Sequence, residues 1–496
     1  MQLQDQRKSH DAIDAIIIGG GPGGSTCAAV IAKAGHRVLL LERETFPRYQ
    51  IGESLLPATV HGIAALLGVK DELEAACFTR KRGGTFRWGQ NPRPWTFTFG
   101  QSKRNGEDGY EYAYQVERAK FDDILLRNAA KHGVEVRERA TVEGLIHEDG
   151  RVVGVKVTQE GRTESIRARF VVDATGHQSR FHEQVGERLF SKHFRNIAIF
   201  GYFTGGARLP APNDGNIFCE AFQHGWFWYI PLSPDLTSVG VVVAQEKFAD
   251  VRHENLEQTL MDLVAQSTHI REHLKFATRV TEGMYGKIRV RKDYSYCNTR
   301  FWRPGLALVG DAACFVDPVF SSGVHLATYG GLLAGRAVNS TLSDPERETT
   351  WFDAFEARYQ REYRAFYDFL VGFYDMGKTE DSYFWNARSV LGSEESGNEA
   401  FLRLVAGNGT TGAFHLRAKA AKTLDSLFGV AVEGPTLLEK AVSVAKALFH
   451  FVGSDKALLS SMKATGTVAA VEVSEIDGPR SNDDVRVSQD GLHWLI

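Results

Sequence analysis

Gly19-Gly20-Gly21-Pro22-Gly23-Gly24 stands between an apolar run at residues 12–18 and a small-residue stretch at 25–34, with a second apolar run at 37–41. The spacing of apolar residues passes from that of a strand to that of a helix and back, which predicts a βαβ unit. Within it Gly19, Gly21 and Gly24 satisfy G-x-G-x-x-G. Gly19 permits the tight turn, Gly21 lets backbone approach a pyrophosphate, and Gly24 allows close helix packing. The following helix directs its N-terminal amides and dipole at the phosphates. Glu42, at the end of the second strand, stands where a ribose hydroxyl acceptor belongs. An ordinary glycine-rich turn with an exposed acid behind it is the competing reading, and the order strand, turn, helix, strand, acid favours a dinucleotide site. The acid repels a ribose 2′-phosphate but does not separate FAD from NAD.

Working outward, Phe121, Ile124, Leu125 and Ala129 carry helical spacing over residues 117–132, and residues 134–157 read as short strands around Glu148-Asp149-Gly150. A third apolar run at 170–172 ends in Asp173-Ala174-Thr175-Gly176. Between about 190 and 290 strand-like runs alternate, at 196–203, 226–231 and 238–244, with one helical stretch near 254–265. The nucleotide pattern returns at 306–311 and is followed by a small-residue helix over 323–342. From Trp351 the pattern is helical, and the polar residues 478–490 are expected to be loosely ordered. The predicted architecture is α/β. Segments 1–80, 111–190 and 291–345 build a Rossmann-like cofactor domain, 81–110 and 191–290 an inserted mixed β-sheet substrate domain, and 346–496 a helical C-terminal region with a loose tail.

Composition narrows the function classes. With 496 residues, 43% hydrophobic and 24% charged, a large core is available, and a formal charge of −3 without a long basic stretch lacks the footprint of a nucleic-acid binder. Cys27, Cys77, Cys219, Cys297 and Cys314 are odd in number and scattered, which suits neither a disulfide framework nor a metal site and fits a reducing cytoplasm. Residues 1–11 are polar with no signal-type apolar core, and no stretch reaches the roughly 18 to 20 apolar residues of a transmembrane helix.

Later motifs separate the nucleotides. Gly310-Asp311, closing a buried strand, resembles the second nucleotide-contacting motif of the flavin monooxygenase superfamily, whose aspartate reaches the ribityl and pyrophosphate region. Arg118, in Gln115-Val116-Glu117-Arg118 followed by Phe121-Asp122, resembles its helix-start arginine. Asp311 alone reads equally well as a turn or capping residue; three motifs in order favour FAD. The resemblance implies a para-hydroxybenzoate-hydroxylase-type fold and adds Arg43, beside Glu42, to the cofactor contacts.

Trp226-Phe227-Trp228-Tyr229-Ile230-Pro231 reads W-x-W-x-I-P and resembles the signature that distinguishes flavin-dependent halogenases from related hydroxylases. An aromatic core strand ended by proline is the bland alternative. Gly52-Glu53-Ser54-Leu55-Leu56-Pro57, the stretch Lys81-Arg82-Gly83-Gly84-Thr85-Phe86-Arg87-Trp88-Gly89 and residues 311–325 extend the likeness to the phenolic flavin-dependent halogenases over about residues 12–410. That likeness implies FADH2 supplied by a separate reductase, chloride as co-substrate, and a phenolic small molecule or a carrier-tethered tyrosyl group as acceptor. Trp226, Trp228 and Pro231 become a barrier between flavin and substrate. Lys81, by default a surface lysine, matches the halogenase lysine. Its ammonium would hydrogen-bond hypochlorous acid and its neutral amine would form a chloramine; desolvation favours the second, and both remain open here. The amides of Ser322 and Gly323, in Pro318-Val319-Phe320-Ser321-Ser322-Gly323, become the chloride site. One departure stands out: tryptophan halogenases carry glutamate where this chain has Phe320, which argues against free indole. The rivals are an aromatic hydroxylase or isoprenoid-type reductase on the same fold, and a non-catalytic escort that binds a lipid or polypeptide.

Overall fold

The computed structural model describes residues 13–91, 93–102, 109–378, 380–391, 393, 395–408 and 485–496. The chain falls into two units, Met1–Phe414 with Val487–Leu495 and His415–Arg486 with Ile496, and the elements that carry the site belong to the first.

Ile13–Ile18 is the central strand of a parallel sheet, pairing with Arg162–Asp173 on one side and Val38–Leu41 on the other. Helix Pro22–Lys33 packs on one face, and Ala140, Val142, Val152, Val155 and Val157 pack against Ile16, Ile18, Leu39 and Leu41 on the other, so both faces are buried and these runs show no alternation. The order is Trp302–Arg303, Leu306–Leu308, Arg162–Asp173, Ile13–Ile18, Val38–Leu41 and Glu135–Arg137. Ile18, Leu41, Asp173 and Leu308 fall in register at the carboxyl edge, where such sheets bind ligands. Ala140–Glu148 and Arg151–Gln159 form the expected hairpin, turning through Asp149 and Gly150, both with positive φ. The glycine-motif helix, Pro22–Lys33, packs on the 22-residue helix Ser322–Ser343. Their contact is close because a Cβ on Gly331 would lie 2.3 Å from the Gly23 carbonyl oxygen.

The second sheet runs Cys314–Phe315, Arg289–Asn298, Arg188–Thr204, Leu236–Ala244, Gly225–Pro231, Ile217–Phe222, Gly83–Arg87 and Trp95–Thr98. It is mixed, since Ile217–Phe222 pairs parallel to Gly83–Arg87 while its other neighbours are antiparallel. The expected boundary between 290 and 291 is corrected: it would cut Arg289–Asn298, which pairs with Arg188–Thr204 from Arg289↔Phe200 to Asn298↔Arg188. Arg289, Arg291, Lys292 and Asp293 break the apolar alternation at its start, so residues 289–298 carry no clear strand pattern.

Helices Glu348–Phe373, Glu380–Leu391 and Gly397–Val405 follow. Residues 409–484 of the expected helical C-terminal region, and residues 1–12 at the other end, lie outside the described residues. The loose tail expected at 478–490 is corrected at its described end, where Val485 is buried and the Ser488 amide donates to the His493 carbonyl at 3.0 Å. Trp494 is buried, with its N–H donating to Ser340 Oγ at 2.7 Å and the Arg358 guanidinium 4.4 Å from its ring. The Gly491 and Leu492 carbonyls also accept, from Arg336 Nε at 2.7 Å and Asn339 Nδ2 at 2.8 Å, so residues 491–494 are anchored to the helix Ser322–Ser343. Among the described residues no helix is long and apolar enough to cross a membrane.

Candidate active site

A cavity of about 600 Å³ opens at the carboxyl edge of the parallel sheet, with Gly19, Gly21, Glu42, Arg43, Arg118 and Asp311 among its lining residues. The glycine turn is a cradle that side chains would fill. A Cβ on Gly24 would lie 1.9 Å from the Gly19 oxygen, and one on Gly19 2.6 Å from the Ala174 oxygen. Gly21 begins the helix without a side-chain cap, leaving its first-turn amides for an anion. Glu42 is buried; Oε2 accepts from the Gly20 amide at 2.7 Å and Oε1 from the Glu44 amide at 2.8 Å. Arg43 stands largely exposed, its guanidinium donating to Gln178 Oε1.

Arg118 is more committed than a simple cofactor contact. Its guanidinium forks onto Asp122 at 2.7 and 2.9 Å and donates to the carbonyls of Ile51 and Gly52, so it clamps the turn that leads into Glu53. Burial pushes Asp311 up to about 6 against the pull of Arg118, Arg188 and Arg291. Uncapped amides, a glycine cradle, Glu42 and a cationic wall fit a dinucleotide such as FAD.

The tryptophan strand resolves its two readings by alternation. Successive side chains point to opposite faces. Phe227 and Tyr229 enter an apolar core with Leu260, Leu263 and Ile270, while Trp226, Trp228 and Ile230 line the cavity. Trp226 Nε1 donates to Tyr374 Oη at 2.7 Å and Trp228 Nε1 to Ser238 Oγ at 3.2 Å. Pro231, in register with Thr237 on the next strand, is the last residue of the strand and closes its ladder, as expected of a proline there.

Lys81 is only 2% exposed and is not among the residues lining the cavity. It ends the strand Thr79–Lys81, which pairs with Ala113–Gln115, and its Nζ donates to the Leu55 carbonyl at 3.0 Å. Phe99 lies beneath it, its ring centroid 5.7 Å from Nζ. Desolvation lowers its ionisation from 10.5 to about 7, with Cys219 pulling it back up. Cys219 is paired across from Trp228, so that face of the sheet links the tryptophan to the lysine.

The loop before Ser322–Ser343 is built by Asp317, which accepts from the Val319 amide at 3.1 Å, and by Ser321 in the left-handed conformation. Ser321 and Gly323 line the cavity; Ser322 is wholly buried and does not. Phe320 sits among Phe86, Phe369, Phe373 and Phe401, with centroid separations of 4.5 to 6.2 Å. The roles of Asp317, Tyr374, Tyr202 and Tyr49 escaped sequence reasoning because their partners are remote in the chain, although Glu53 and Asp317 stood within quoted stretches.

A Rossmann-like sheet, a dinucleotide cradle and an inserted mixed sheet that walls the cavity with tryptophans define an FAD-dependent enzyme. The family model Tryptophan halogenase matches residues 14–108 and 101–428, and the chain belongs to that family: it is a flavin-dependent halogenase, using FAD reduced by a separate reductase and a halide. It is 58% identical to the structure described as the myxobacterial chondrochloren halogenase CndH, with a TM-score of 0.72 over 80% of this chain and 90% of that one. Tryptophan 2-halogenase of Chondromyces crocatus is 35% identical over 384 residues, 76% of this chain and 71% of the relative. A 1H-pyrrole-2-carbonyl-[peptidyl-carrier protein] chlorinase of Pseudomonas fluorescens is 31% identical over 388 residues, 74% of this chain and 84% of the relative.

Proposed function

We propose that this halogenase chlorinates a phenolic or tyrosyl ring, free or carried on a carrier protein, with Lys81 as the group that delivers the halogen. The observation that carries this reading is a buried lysine near Cys219, the cross-strand partner of Trp228, brought close to neutrality by desolvation. Bound reduced FAD supplies the electrons with which oxygen oxidises chloride to hypochlorous acid. The neutral Lys81 amine takes chlorine from hypochlorous acid, releasing water as the N–Cl bond forms. The ring carbon then takes the chlorine, and the proton it loses returns to the nitrogen. Trp226, Trp228 and the Pro231 end of their strand keep the ring from the flavin side, Ser322 and Gly323 offer first-turn amides to chloride, and Gly19, Gly21, Gly24, Glu42, Arg43, Arg118 and Asp311 hold the cofactor.

Phe320 supports a phenol over an indole. A ring whose own oxygen activates the ortho carbon needs no protein carboxylate, and position 320 supplies none. The relative named as a tryptophan 2-halogenase favours indole as the second reading. The relative that chlorinates a carrier-bound pyrrole supports a tethered substrate. Free cysteines at all five positions suit a reducing cytoplasm.

The test supplies FAD, a flavin reductase, oxygen and chloride with free tyrosine, carrier-bound tyrosine or tryptophan, and reads product mass for the chlorine isotope pattern. Chlorinated tyrosine with wild type and none with Lys81→Ala, while oxygen consumption continues, is the expected result. Oxygenated product independent of chloride would replace the reading with a hydroxylase.

A further inference from the structure

Glu53 is a buried carboxyl on the cavity wall to which halogen delivery assigns no task. Tyr202 Oη donates to its Oε1 at 2.7 Å and lies 2.8 Å from Tyr49 Oη. Tyr49 is partly exposed, with the Arg289 guanidinium 3.6 Å from its ring centroid. A carboxyl and two phenols therefore form an unbroken hydrogen-bonded line from the cavity wall toward the surface.

The reaction creates a demand for such a line. FADH2 + O2 + Cl⁻ + H⁺ → FAD + HOCl + H2O takes up one proton per turnover, in a cavity walled by tryptophans. We propose that Glu53, Tyr202 and Tyr49 are the proton-delivery chain that meets this demand. The Glu53 carboxyl gives its proton to the oxygen atom that leaves as water. The carboxylate recovers a proton from Tyr202, Tyr202 from Tyr49, and Tyr49 from solvent.

The surroundings keep the carboxyl protonatable at neutral pH. Burial pushes Glu53 up to about 7, aided by Glu117, while hydrogen bonds from Tyr202 and Ser238 and the charge of Arg118 pull it down. Tyr49 and Tyr285 complete the groups facing it, and the Tyr285 hydroxyl is turned away to donate to Glu117 Oε2 at 2.9 Å. Burial raises the phenols Tyr49 and Tyr202, so both keep their protons and pass them on without ionising at rest.

The proposal rests on the halide-oxidising activity, and its first readout does not use it. In the resting protein, infrared difference spectra should show a protonated carboxyl band that is lost as pH rises through about 7, is absent in Glu53→Gln and shifts in Tyr202→Phe. In stopped flow with pre-reduced FAD, chloride and oxygen, Glu53→Gln should slow chloride-dependent flavin reoxidation about tenfold or more, with Tyr202→Phe and Tyr49→Phe intermediate and carrying a larger solvent deuterium isotope effect. FAD affinity, read by fluorescence, should hold within about threefold, as a merely structural network would not ensure. Tyr49→Phe removes only the hydroxyl of a partly exposed residue and keeps the test available if Glu53→Gln folds poorly. A carboxyl already ionised at about pH 6, or wild-type rates and isotope effects in both phenylalanine variants, would overturn the chain. Absence of chloride-dependent reoxidation in wild type would instead count against the underlying activity, leaving the carboxyl titration to be read separately.

Discussion

Trp226 Nε1 donates to Tyr374 Oη at 2.7 Å, and the same hydroxyl donates to Asp317 Oδ2 at 2.7 Å. One phenol thus ties the tryptophan wall to the residue that builds the loop before Ser322–Ser343, from just beyond the helix Glu348–Phe373. Asp317 also accepts from Asn196 Nδ2 at 3.0 Å, and burial pushes it up to about 6. Tyr374→Phe leaves the indole N–H without its acceptor and removes one donor from the aspartate. The expected cost is about 1 to 3 kcal/mol of stability. A looser Trp226 ring should also let oxidant escape. The ratio of hydrogen peroxide or free hypochlorous acid to chlorinated product should rise, measured beside the melting temperature.

Lys81 makes a signed prediction about pH. Its amine is lowered to about 7, so the neutral form gains as pH rises through that value. If chlorine is carried as a chloramine, the transfer rate in single turnover climbs through about pH 7 and then levels. A hydrogen-bonding ammonium would give the opposite limb. Lys81→Arg should lose product on the chloramine route because a guanidinium stays charged throughout. Rapid-quench product formation across the pH range distinguishes the two.

The parallel sheet was legible because each of its signals is local: apolar runs of strand length, a glycine turn, and an acid one strand later. Residues 226–231 were legible as a strand, and their alternation predicts that 226, 228 and 230 share a face. What lay on that face was hidden. Glu53 and Tyr202 are 149 residues apart, and Trp226 and Tyr374 148, so no spacing rule connects them. Lys81 was visible only through its flanking motif, since burial of a lysine is set by the elements around it and not by its neighbours in sequence. The strand at 289–298 was hidden for the converse reason: Arg291 and Lys292 are consecutive, so charge falls on both faces and no period of two shows.

Phe320 predicts an asymmetric exchange. Its ring is 3% exposed and packed by four others. A carboxylate there would be desolvated with no hydrogen-bonding partner among those rings, so Phe320→Glu should destabilise the protein by more than about 2 kcal/mol. It should not create tryptophan chlorination, because the pocket that would present an indole to the new carboxylate is filled by Phe86, Phe369, Phe373 and Phe401. Urea unfolding gives the first quantity and product mass with tryptophan the second.

Gly240 lies under the Trp228 ring, where an added Cβ would fall 2.2 Å from Cζ2 and 2.6 Å from Phe200 Cβ. Neither neighbour can retreat freely, since Trp228 Nε1 is held by Ser238 and Phe200 is wholly buried. Gly240→Ala must therefore tilt the tryptophan into the cavity or push its strand outward. Overpacking of this kind costs about 1 to 3 kcal/mol. If the ring moves inward it occupies space needed by the cofactor, so FAD affinity should fall while the folded fraction in buffer stays high. Loss of the near-ultraviolet tryptophan signal at unchanged FAD affinity would show instead that the strand had moved, and that Trp228 is held by packing and not by the cavity it faces.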